Sequence, residues 1–121
     1  MSNVQTDFQT GSGPNVSRAT DAAGNAACTV TLPAPQDIGS IKIHKITATV
    51  SGATAAADGT IIVKLDNSAT NWKAVLAAAR GGLADIDFFK PLIGKPGTAV
   101  PVILSALGTS TVGELEVVWE V

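Results

Sequence analysis

The chain contains one histidine, one cysteine and no tyrosine in 121 residues. Each scarcity removes a class of chemistry. His44 alone forms neither a His-rich metal site nor a two-His, one-carboxylate set. Cys28 alone cannot close an intrachain disulfide. Charge is scarce too: Asp, Glu, Lys and Arg make up 15% of the residues, against ~25% in ordinary soluble domains. A net charge of −2, with eight basic residues that never run together, argues against nucleic-acid binding through bulk electrostatics. No apolar run nears the ~20 residues of a membrane-spanning helix. The start, "MSNVQTDFQTGSG", lacks the basic and apolar regions of a secretory signal. Synthesis and folding are therefore expected in a reducing host cytoplasm. Neither G-x-x-x-x-G-K-S/T nor G-x-G-x-x-G occurs, so no phosphate cradle is encoded and no cofactor is expected.

What remains is a single domain's length of small, polar and aliphatic residues. Residues 1–26 are polar, with Val4 and Phe8 among their few sizeable apolar groups. They show no period and read as an extended arm on a domain spanning residues 27–121. From residue 27 the chain alternates. "CTVTL" puts Cys28, Val30 and Leu32 on one face, so Cys28 reads as a buried hydrophobe rather than a nucleophile. In "IKIHKITATV" the apolar face changes parity at His44–Lys45, and one extra residue there, a β-bulge, restores both halves to the core. "GTIIVKL" turns Ile61, Val63 and Leu65 inward and Ile62 outward. Residues 70–79 fit a helix stripe or a strand, and the strand-rich surroundings favour strand. "LADIDFF", "AVPVIL" and "GELEVVWEV" complete about seven strands. This is an all-β chain, an antiparallel β-sandwich of jelly-roll or Ig-like type.

The stretch "DIDFFKPLIGKPGTAVPVIL" (85–104) holds three of the six prolines. It reads as two strands joined by a stiffened turn over residues 90–98, which absorbs Pro91 and Pro96. Pro101 falls inside the second strand, and a strand proline marks an edge or a bulge. Residues 99–104 are thus expected at a sheet edge, or paired on only one side, near where subunits meet.

Candidates for chemistry are few. Asp85 and Asp87 share an outward face at ~6–7 Å spacing, a pattern open to glycoside hydrolysis or calcium but far commoner as a solvated strand face. Asp66, Asn67 and Asn71 form a turn-type cluster or a weak calcium loop. Trp72 and Phe89 are the aromatics open to sugar stacking. No nucleophile, base and orienting group come together, so the chain is not expected to be an enzyme or to bind metal.

The succession "AACTVTLPAP", "IKIHKITATVSG", "GTIIVKL", "NWKAVLAAARGGLADIDFFKPLIGKPGTAVPVILSALG" and "VGELEVVWEV" resembles small tailed-bacteriophage virion proteins of β-sandwich type. The likeness covers residues 26–121 and includes a Phe-x-x-Pro-Leu-x-Gly turn, here Phe88 to Gly94. It implies a capsid decoration (cement) protein on the capsid exterior. Such a protein binds the major capsid protein and its own copies, as a homotrimer or else a dimer. The candidate contact residues are Phe8, Arg18, Ile62, Phe89, Pro101 and Ile103. The alternative is a tail, baseplate or fibre module that contacts host-surface glycans.

Overall fold

The computed structural model describes residues 2–7, 14–21, 26–36, 38–52, 59–76, 83–106 and 111–121; for residues 2–7, 21, 52 and 76 it describes the backbone alone. Among the described residues there are nine strands: β1 (Ser2–Asp7), β2 (Asn15–Asp21), β3 (Cys28–Leu32), β4 (Lys42–Gly52), β5 (Gly59–Val63), β6 (Trp72–Leu76), β7 (Leu83–Ile93), β8 (Val100–Leu104) and β9 (Thr111–Glu120). The last seven fall on the seven alternating segments of the sequence, and residues 72–76 are strand.

Two sheets form, in the orders β1-β2-β9-β4-β7 and β3-β8-β5-β6, and every pairing is antiparallel. The pairings nest. β5 pairs with β6, β4 with β7, β3 with β8 and β2 with β9, with successive pairs in alternate sheets. This is a long hairpin rolled on itself, the jelly-roll form of the β-sandwich. The Ig-like alternative is thereby removed.

Residues 15–21 belong to the sandwich and are not a detached arm. β2 pairs with β9 from Asn15↔Trp119 to Thr20↔Glu114, and β1 pairs outside it. Ser17 and Ala19 are buried while Arg18 is exposed. The alternation exists, but small side chains carry it on the core side. The candidate contact residue Phe8 lies outside the described residues.

The core fills the space between the sheets. Val30, Leu32, Ile46, Val102, Leu104 and Val117 are fully buried, each contributing ~1.5–3 kcal/mol of burial. The bulge lies where the parity change requires it. Ile43 pairs with Trp119 and Lys45 with Val118, so two steps along β4 meet one along β9. Ile43 and Ile46 consequently both reach the core. Towards β7 the same two steps meet five, from Leu92 to Asp87.

Two expectations about the prolines are corrected. Pro91 lies within β7, in that irregular stretch of an edge strand, where no ladder partner needs its N–H. β8 is not an edge strand, since it pairs with β3 on one side and β5 on the other, but Pro101 lies past the last rung with β5 and pairs with Thr31 alone. Its lost donor points to the end of β5. There Lys64 N–H donates to Pro101 O (3.1 Å), and Lys64 O accepts from Asn67 N–H (3.0 Å). The carbonyl that residue 101 would have served is already satisfied by the turn.

Candidate interaction surface

The outer face of the four-stranded sheet collects three of the six candidate contact residues. Thr29, Ile103, Ile62 and Lys73 form one row across all four strands. Thr31 and Pro101 form a neighbouring row, and Thr60 pairs with Val75 on the other side. Ile62, Ile103 and Pro101 are half-buried, while Thr31, Lys73 and Val75 are exposed. Among the described residues of this face the charges are Lys64 and Lys73, and no carboxylate is present. A flat, aliphatic and threonine-rich surface loses little charge solvation when covered. Thr29, Lys73 and Val75 were not singled out from sequence. Their place depends on cross-strand register, which one strand's alternation does not reveal.

Arg18 lies on the opposite side of the molecule. The outer face of the five-stranded sheet carries the row Arg18–Glu116–Thr47–Asp85. Arg18 Nε donates to Glu116 Oε2 at 2.7 Å. Lys45 Nζ lies 3.2 Å from Asp85 Oδ1, and Thr47 Oγ1 donates to the same oxygen at 3.2 Å. The hydrogen bond from Lys45 to Asp85, then the charges of Asp85 and Asp87, raise the Lys45 pKa. His44 Nε2 lies 3.1 Å from Glu120 Oε1 beside the bulge. A groove of about 340 Å³ crosses this face, lined by Arg18, Thr20, Thr47, Thr49, Glu114 and Glu116. Exposed pairs of this kind contribute little stability. They make the face a solvated, ion-paired one.

The remaining chemical candidates resolve into structure. Asp85 is engaged by Lys45 and Thr47. Asp66 Oδ1 accepts from Ser68 N–H and Ala69 N–H, both at 3.0 Å, and Asn71 Oδ1 accepts from Asp66 N–H at 3.1 Å. The backbone bonds from Ala69 and then Ser68 lower the Asp66 pKa to about 2. This carboxylate closes a turn. Cys28 is buried, with its Sγ donating to Gly113 O at 3.1 Å. Trp72 packs edge-to-face on Phe88, ring centroids 5.2 Å apart, and both lean on the core. Trp72 is therefore half-buried rather than standing free. Phe89 is fully exposed. Among the described residues no group of three or more His, Cys, Asp or Glu side chains is placed to hold a metal.

No protein-family model and no curated protein matches the chain. Among solved structures it is similar to the cryo-EM structure of the giant freshwater prawn Macrobrachium rosenbergii extra small virus (XSV) VLP. The identity is 15% over 95% of this chain and 84% of that one, with a TM-score of 0.33. A superposition that loose carries no inference about what this chain does.

Proposed function

We propose that the chain is a structural virion protein, a decoration protein that binds the outside of a phage capsid, associates with its own copies, and acts by binding rather than catalysis. The observation that carries this reading is the charge-poor outer face of the four-stranded sheet, with Ile62 and Ile103 paired at its centre and Pro101 beside them. The jelly roll is a fold used for viral coat and lectin domains, and function rests on the surface rather than the fold. Lys64 and Lys73 suit a carboxylate-bearing patch on the major capsid protein. A trimer is the assembly favoured by the resemblance, with a dimer as the alternative. The glycan-binding alternative rests chiefly on Phe89, since the half-buried Trp72 packs on Phe88 and the core.

Mass spectrometry of purified particles should detect the chain. Replacing Ile62 and Ile103 by Asp should release it from the shell while the isolated protein stays folded. Particles that lack the chain would remove the virion reading. A glycan array that shows binding lost on Phe89→Ala would favour the tail module.

A further inference from the structure

Six large hydrophobic side chains are exposed among the described residues, and four lie towards one end of the sandwich: Ile38 (89%), Phe89 (106%), Ile93 (52%) and Val121 (59%). Register and the adjoining loops place them at that end. Ile93 pairs with Lys42, and Lys42 with Glu120, the residue before Val121. A Cβ on Gly39, next to Ile38, would lie 3.0 Å from Val121 Cγ1. Phe89 stands on β7 in the irregular stretch opposite His44, which contacts Glu120.

This end is pre-formed. Gly94 N–H donates to Ile41 O, Lys95 N–H to Leu65 O and Gly97 N–H to Gly39 O, each at 2.8 Å. Three separate loops are tied to one another by these bonds. The loops that carry Ile38 and flank Ile93 are thus fixed by satisfied backbone, so covering those side chains costs little ordering entropy.

We infer that this loop end is the surface through which copies of the chain associate, end against end around a symmetry axis. The inference rests on the self-association in the proposed function and assigns it a place. Charge selects the occupant. A symmetric contact sets a patch against its own copy, so a patch of one sign repels itself. Among its described residues the four-stranded face carries only lysines. The loop end carries both signs: Lys42, Lys90 and Lys95 with Asp66 and Glu120. Area agrees as well. A standard interface takes ~800 Å² from each partner, of which roughly 500 Å² is apolar in homodimers. A fully exposed Phe89 and three exposed aliphatics supply apolar area of that order.

Native mass spectrometry and sedimentation equilibrium of the full chain test the inference. The wild type should be an oligomer at micromolar concentration, and the double variant Ile38→Asp/Phe89→Asp should fall to the 12.2 kDa monomer with unchanged circular dichroism. Glu114→Lys, on the five-stranded face, should leave the oligomer's mass unchanged. A Phe89→Cys variant should crosslink to a second copy through that thiol, Cys28 being buried. A monomeric wild type, an oligomer that survives the double variant, or no crosslink would each overturn it. None of these depends on the particle inventory. A chain absent from particles but oligomeric through this end would sink the virion reading and keep the inference.

Discussion

Trp119 Nε1 donates a hydrogen bond to Ser17 Oγ at 2.9 Å, in the core, between residues 102 apart in sequence. β2 contributes little apolar volume, and this bond is what its small core-facing residues provide instead. Ser17→Ala removes the acceptor from a buried indole N–H, and the cost should be ~1–3 kcal/mol. Urea unfolding followed by tryptophan fluorescence measures it. A change within error would mean that this bond adds nothing to what the ladders of β2 with β1 and β9 supply.

Gly94 sits where the loop end closes on the core. A Cβ there would lie 2.8 Å from Val100 Cγ2, and Val100 is fully buried. Gly94→Ala should destabilise by ~1–3 kcal/mol through overpacking. The double variant Gly94→Ala/Val100→Ala should lose less than the sum of its parts. Thermal melts of the three variants decide it, and strict additivity would refute the steric account.

Asp66 gives a pH dependence with a definite sign. Its folded pKa is about 2, below the usual 3.8, because the backbone N–H groups of Ala69 and Ser68 bind the ionised form. The stabilisation is present above pH ~4 and is lost as pH falls towards 2. An NMR titration of the carboxyl should report the low value. Asp66→Asn should flatten the stability profile across that window, and a normal pKa in the wild type would contradict the turn geometry.

Asn67 has a φ of 60°, in the left-handed region, and its N–H satisfies the Lys64 carbonyl opposite Pro101. Asn67→Gly should be nearly neutral. Asn67→Val should cost ~1–2 kcal/mol, because a branched side chain resists that conformation. Chemical denaturation of both variants provides the comparison. Equal stabilities would show that the turn tolerates another path.

How far the sequence alone reached depends on what kind of signal each feature leaves. The bulge in β4 was legible because large residues changed parity: Ile43 on one side of His44, Ile46 on the other. β2 was not, because Ser17 and Ala19 leave no hydrophobic trace and only a partner strand reveals their burial. Pro101 suggested an edge because a missing donor is costly in mid-sheet. Nothing local shows that its donor would point past the last rung of β5. The outward residues Ile62, Phe89 and Ile103 followed from alternation. That Ile62 and Ile103 are neighbours is a matter of register between strands, and the clustering of Ile38, Ile93 and Val121 is a matter of tertiary closure. Both are long-range properties.

The nested pairing also sets an order of events during synthesis. β9 lies between β2 and β4 in the five-stranded sheet, yet it follows the other eight described strands in chain order. Until it emerges, β2 and β4 each present an open edge with nothing to bridge them. The earlier strands can form hairpins such as β5 with β6, but one wall of the sandwich waits for β9. Its closure joins stretches separated by most of the chain, a slow step by topology. Nascent chains are therefore exposed to mispairing until β9 has emerged, and Lys90 and Pro91 on the edge strand β7 are well placed to discourage it.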